Sequence, residues 1–118
     1  MAKVLIATND SGVLDTLAAE IQGEGHEVDC AADGQEAYDQ VLGSCPDLIV
    51  LDPALPVFDG YEICRILRDD PDVPERIPIL FLTTADSDQR SMERAGGTDS
   101  LPKQHEAWQV RELLTRYA

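Results

Sequence analysis

The sequence predicts an α/β fold: a doubly wound three-layer sandwich of five βα units spanning residues 1–118. Three observations carry this. Short β-rich apolar runs alternate with helical patterns along the whole chain, and such alternation builds βαβ units around a parallel sheet. The central runs VLIA (4–7), LIVL (48–51) and ILFL (79–82) do not alternate apolar with polar, as expected of inner strands buried on both faces. No repeat, low-complexity segment or linker interrupts the 118 residues, a length that suits one domain with one core. Right-handed crossovers then cover both faces with helices. The expected strand order is 2-1-3-4-5, one of the two common doubly wound orders.

The strands are read at Lys3–Thr8, Glu27–Ala31, Asp47–Asp52, Ile77–Thr83 and, more weakly, Thr98–Leu101. In the first helix Val13, Leu14, Leu17 and Ile21 recur at helical spacing, and GEGHE ends it. The second follows Asp33-Gly34, with Ala37, Val41 and Leu42 inward. The third starts at Gly60, turns Ile63, Cys64 and Leu67 inward, and stops before Pro71. The fourth, Ser87–Ala95, is short and ends at Gly96-Gly97, a C-cap signal. The fifth runs from Gln104 to Tyr117, with Ala107, Val110, Leu114 and Tyr117 as its apolar stripe and Leu113 on the flank.

Acids outnumber bases 23 to 9, a net charge of −14. Such a surface repels nucleic acid and anionic membranes, so direct binding to either is not expected. It suits a site that gathers carboxylates, or a salt-adapted surface. No signal peptide and no apolar run long enough to span a bilayer is present. Cys30, Cys45 and Cys64 form no C-x-x-C pair and read as reduced thiols of a cytoplasmic protein, not as a metal site.

Sites in such sheets form beyond the carboxyl ends of the strands. Strand 1 delivers Thr8, Asn9 and Asp10 there, strand 3 delivers Asp52, and strand 4 delivers Thr83 and Thr84. Lys103 follows strand 5. Asp52 is a candidate nucleophile. Thr83 is suited to hydrogen-bonding a transferred phosphoryl group, and Lys103 to offsetting its charge. A divalent metal would bring a dianionic donor to a carboxylate. The plainer alternatives are a turn former for Asp52, a packed β-branched residue for Thr83 and a solvated lysine for Lys103.

With these residues in view, the chain resembles a receiver domain of two-component response regulators. The resemblance rests on LIVLDPALPVFDGYEICRIL (48–67), in which Asp52 precedes L-P-x-x-D-G, on IPILFLTT with Thr83, and on SLPK with Lys103. It covers nearly all of the chain. It implies a flavodoxin-like fold, Asp52 as phosphoacceptor served by a histidine kinase or phosphotransfer protein, and a signalling module, not an enzyme. It also implies output through the fourth helix, fifth strand and fifth helix, to a downstream protein or a second copy. Mg2+ is the implied cofactor, its site drawn from Asp52, Asn9, Asp10 and the backbone carbonyl of Ala54. There is no room for an effector domain, so the chain is expected to be a single-domain receiver or a piece of a longer protein.

Several residues depart from the family pattern. Receivers end strand 1 with two adjacent acids, and here those positions are Thr8 and Asn9. A neutral amide oxygen holds Mg2+ less strongly than a carboxylate, so a weak metal site is expected. Asp10 is either a helix N-cap or a substitute metal acid. Pro53 removes a backbone donor beside Asp52 or simply terminates the strand. Gln104, not proline, follows Lys103, and Ser100 stands where receivers carry an aromatic. His105 takes the place of a packed Phe, and His26 reads as a turn residue.

At about 100° per residue, Trp108 falls roughly 150° from the centre of the last helix's stripe, on the solvent side. With Ser100, Gln104 and Arg111 it marks a candidate partner surface. The alternative places its ring flat on the fourth helix or beside Arg111 or Glu112. A competing reading of the whole chain is a pseudo-receiver, an interaction module that phosphate does not switch. A flavin or nucleotide enzyme on the same topology is disfavoured, because Asp10 and the acidic surface oppose a bound phosphate.

Overall fold

In the computed structural model, which describes residues 2–118, ten elements alternate. They are β1 (Lys3–Ala7), α1 (Ser11–Gly23), β2 (Glu27–Ala31), α2 (Gly34–Ser44), β3 (Leu48–Leu51), α3 (Gly60–Asp69), β4 (Ile79–Thr83), α4 (Gln89–Ala95), β5 (Asp99–Pro102) and α5 (Ala107–Tyr117). The five strands are parallel in the order β2-β1-β3-β4-β5, as the sequence predicts.

The unbroken apolar runs serve both faces of the sheet. Val4, Ile6, Leu48, Val50, Leu80 and Leu82 pack against Leu17 and Ile21 of α1 and Val110, Leu113 and Leu114 of α5. Their neighbours Leu5, Ala7, Ile49, Leu51, Ile79 and Phe81 pack on the opposite face with residues of α2, α3 and α4, among them Val41, Ile63, Leu67 and Met92. Period-2 side-chain direction divides each strand between two cores, and this makes the three layers.

Some expected boundaries move. β4 starts at Ile79 and not at Ile77, because Pro78 has no N–H for the ladder and offers only its carbonyl, to Ile49 N at 3.0 Å. α4 starts at Gln89; Ser87 Oγ instead accepts from Thr84 N at 2.8 Å. α5 starts at Ala107, three residues later than expected. Gln109 Oε1 accepts from Glu106 N at 2.7 Å, which fixes Glu106 as the residue before the helix. The turn before it is held by His105. Its Nδ1 lies 2.9 Å from Pro102 O and its Nε2 2.7 Å from Glu20 Oε1 of α1.

Two residues expected inward are exposed, Leu42 of α2 and Ala107 of α5. Both sit at the edge of their helix stripe, where a small rotation changes the face. His26, read as a plain turn residue, is a structural partner: its Nδ1 accepts from Ala2 N at 3.0 Å.

Candidate functional site

The β3–α3 loop is built around Asp52. Asp52 N donates to Ala7 O at 2.9 Å, which continues the β1–β3 ladder one residue past the strand and fixes where the side chain emerges. Leu55 N donates back to Asp52 O at 3.3 Å and Gly60 N to Pro53 O at 3.2 Å. A Cβ on Gly60 would stand 2.5 Å from Asp52 O, so only glycine lets α3 start this close to the carboxylate strand. Asp59 caps α3: its side chain accepts from Glu62 N at 2.9 Å, and Glu62 Oε1 accepts from Asp59 N at 3.3 Å. The D-G of the L-P-x-x-D-G string thus shapes the loop and takes no part in the chemistry.

The Asp52 carboxylate is 1% exposed and held on three sides. Lys103 Nζ lies 2.8 Å from Oδ2. Thr8 Oγ1 donates to the same oxygen at 2.8 Å, and Ala54 N donates to Oδ1 at 2.9 Å. The loop therefore keeps a backbone donor at the carboxylate despite Pro53. Burial pushes the Asp52 carboxyl up. The hydrogen bonds from Lys103, Ala54 N and Thr8, with the Lys103 charge, outweigh it and hold the carboxyl below the usual range.

Lys103 is placed by the sheet, since its backbone N donates to Thr83 O at 2.8 Å. Thr83 and Lys103 share a cleft of about 620 Å³ with Asp10, Val13, Thr84 and Gln104. Of the three residues expected together from the sequence, Lys103 contacts Asp52 and shares the cleft lining with Thr83.

Of the expected metal donors, Asp10 is engaged elsewhere. Asp10 caps α1, its Oδ1 accepting from Val13 N at 3.2 Å. Asn9 is exposed. Among the described residues no three His, Cys, Asp or Glu side chains converge on a possible metal position. Mg2+ requires near-octahedral oxygen ligands. Asp52 has an ammonium on one oxygen and an amide on the other, and no second carboxylate joins it. The residues present do not fit a firm divalent site, and no step of the chemistry is routed through one.

Thr8 is the residue that the sequence undervalued. It reads there as a lost acid, whereas the structure makes its hydroxyl a direct partner of Asp52. Its position one residue past β1, level with Asp52 on the neighbouring strand, was the available signal. Glu20, which anchors the turn after Lys103 through His105, carried no signal at 85 residues' separation.

At the other end of the sheet's open edge, Ser100 borders two shallow hollows. One, of about 180 Å³, lies against Trp108, Glu112 and Arg116 of α5. The other, of about 140 Å³, lies against Gln89, Met92 and Glu93 of α4. Trp108 is 55% exposed, and Gln104 and Arg111 are exposed as well.

The family profile described as "Response regulator receiver domain" matches residues 4–115. The chain belongs to the response regulator receiver family. It is 37% identical over 116 residues to the response regulator MprA of Mycolicibacterium vanbaalenii, an alignment covering 97% of this chain and 48% of that protein. The chain thus spans about half the length of the curated relatives it matches. Among solved structures it resembles the chemotaxis response regulator CheY4 of Vibrio cholerae, with a TM-score of 0.91 at 30% identity over 100% of this chain and 99% of that one. It also resembles the receiver domain of the sensor histidine kinase PA1611 of Pseudomonas aeruginosa, with a TM-score of 0.90 at 27% identity over 98% and 96%. That receiver holds a magnesium ion in its active-site cleft. Receiver domains are signalling modules that are typically phosphorylated on an aspartate, and no helix among the described residues is long and apolar enough to cross a membrane.

Proposed function

We propose that this receiver accepts a phosphoryl group on Asp52 from a histidine kinase or phosphotransfer protein of the cytoplasm. The observation that carries the reading is the Asp52–Lys103 pair, a buried carboxylate with an ammonium 2.8 Å away, from a lysine that also lines a cleft. A carboxylate oxygen attacks the phosphorus of a phosphohistidine. The O–P bond forms as the P–N bond breaks, and the leaving imidazole keeps the electron pair and takes a proton from water. Lys103 moves from the carboxylate to the new phosphoryl oxygens, offsetting their charge. Thr83, at the cleft wall, supplies a hydroxyl donor to them. Residues 1–118 act as one receiver unit in this reading.

The output face is α4–β5–α5, with Trp108, Ser100, Gln104 and Arg111 contacting a downstream protein or a second copy. An exposed tryptophan beside a hollow bordered by a serine suits an aromatic anchor contact. The net charge of −14 supports a protein and not a nucleic acid or a membrane as the partner of this unit.

A second reading, a phosphorylation-independent interaction module, is favoured by one observation. Asp52 is almost fully enclosed, with Thr8, Lys103 and Ala54 N already on its oxygens. Incubation with a small phosphodonor, followed by intact mass with Asp52→Asn as control, separates the two. One phosphoryl adduct absent from the control supports transfer. No adduct from either a small donor or a phosphorylated kinase domain favours the module.

A further inference from the structure

The pocket's charge has been redistributed, and its hydrogen bonds account for how. Asp52 carries −1 and its partner Lys103 +1, so the pair is neutral without any added ion. An ionised carboxylate offers about four acceptor positions on its two oxygens. Three are taken: Oδ2 by Lys103 Nζ and Thr8 Oγ1, Oδ1 by Ala54 N. Thr8 is itself committed. Its one hydroxyl proton goes to Asp52, and its oxygen accepts from Asp10 N at 3.1 Å. Thr8 is 2% exposed, so water does not compete for it. The remaining acid, Asp10, faces α1's first turn, where an anion is already matched to the helix N-terminus.

We infer that Lys103 Nζ and Thr8 Oγ1 together fill, at Asp52 Oδ2, the place of a divalent cation, so that this pocket carries its cation as a lysine and is closed to Mg2+ while Lys103 stays engaged. The inference deepens the receiver reading by making the pocket metal-independent. A divalent ion entering here meets one carboxylate, already neutralised, and a like charge at contact distance. Both terms oppose it, the first by removing the attraction and the second by repulsion. Removing the lysine charge leaves the carboxylate's charge uncompensated; adding an acid at Asn9 supplies a second carboxylate.

The test is a Mg2+ titration of isotope-labelled protein, following the amide signals of Asn9, Ala54 and Lys103, with Lys103→Met and Asn9→Asp in parallel. For the native chain the expected result is no saturable shift up to roughly 20 mM, a concentration well above ordinary receptor-site affinities for this class of ion. Lys103→Met is expected to acquire a saturating response at least about tenfold tighter, as loss of one adjacent like charge implies. Asn9→Asp is expected to fall between the two, because the lysine remains. Saturation of the native chain in the low millimolar range would overturn the inference, and so would a Lys103→Met protein that binds no better than the native one. Asn9 is exposed and Lys103 partly buried, and if either variant fails to fold, the other and the native titration still decide. Phosphoryl transfer is not measured here, so a failure of the receiver reading would show as a missing mass adduct and leave the titration unaffected.

Discussion

Arg68 and Gly96 fit around each other. Arg68 Nε donates to Gly96 O at 2.9 Å, while Gly96 sits at a φ of 97°, with the position of a Cβ 2.9 Å from Arg68 Cγ. The same guanidinium reaches Glu75 O at 3.0 Å, Ile77 O at 2.7 Å and Thr98 Oγ1 at 3.2 Å. One side chain of α3 thus gathers the end of α4, the loop entering β4 and the residue before β5. Arg68→Ala is expected to lower stability by about 2 kcal/mol, since charge-assisted bonds to three carbonyls are lost while their acceptors regain water only in part. Gly96→Ala combines left-handed backbone strain of about 1 kcal/mol with displacement of Arg68. In the Arg68→Ala background only the backbone share should remain. Urea unfolding of the two single variants and the double variant measures the coupling.

Val57 stores strain beside the site. It lies in the loop after Asp52 at a φ of 72° and is 71% exposed. A β-branched residue is out of place there, and no packing of this side chain repays the conformation. Asn tolerates the left-handed region, so Val57→Asn is expected to raise stability by about 1 kcal/mol. Thermal melting should show a rise of about 4 °C for a chain of this size. An unchanged or lower midpoint would mean that Val57 contributes a contact its exposure does not suggest.

The three thiols should divide by burial. Burial pushes the Cys64 thiol up to about 11, while Cys30 and Cys45 are exposed. Burial and then the charges of Asp29, Glu36 and Asp15 raise the Cys30 thiol as well. The thiolate is the reacting form. At pH 8 an aromatic disulfide reagent should therefore titrate two thiols in the folded protein and the third only on unfolding. Three rapid equivalents would show that α3 opens without global unfolding.

The sequence exposes most of the architecture because its inner strands are so plainly apolar. LIVL and ILFL have no polar face to misplace, and the chain offers no competing pattern in the loops. The Asp52–Lys103 pair was legible for a related reason: each residue ends a strand on the same edge of the sheet, where topology leaves little choice of position. What stayed hidden depends on side-chain direction or long-range contact. The Thr8 bond to Asp52 requires knowing which way a residue one past β1 points. The His105–Glu20 contact crosses from the turn before α5 to α1. Ala107 and Leu42 were turned inward on helical wheels by one position at the stripe's edge, where apolar character alone does not set the rotation.

Asp52 also gives the protein a defined acid response. Its carboxyl is held below the usual carboxylate range when folded, because bonds from Lys103, Ala54 N and Thr8 outweigh the cost of burial. A lowered folded value means that the unfolded chain binds the proton first as pH falls. The stabilisation is therefore fully present above the unfolded carboxyl value of about 3.9, and it is lost as pH drops through the lower folded value. Asp52→Asn has no such titration. The stability difference between native and Asp52→Asn proteins should be flat from neutrality to about pH 5 and then shift against the native protein at lower pH. Thr8→Val removes one of the three bonds while keeping the side chain's shape, so its acid loss should begin at the same pH but be smaller and end at a higher pH than the native loss. Paired urea titrations between about pH 2.5 and 7 measure both, and a difference that stays constant through the acid range would show that Asp52 titrates at its ordinary value, with the three contacts too weak to hold its charge.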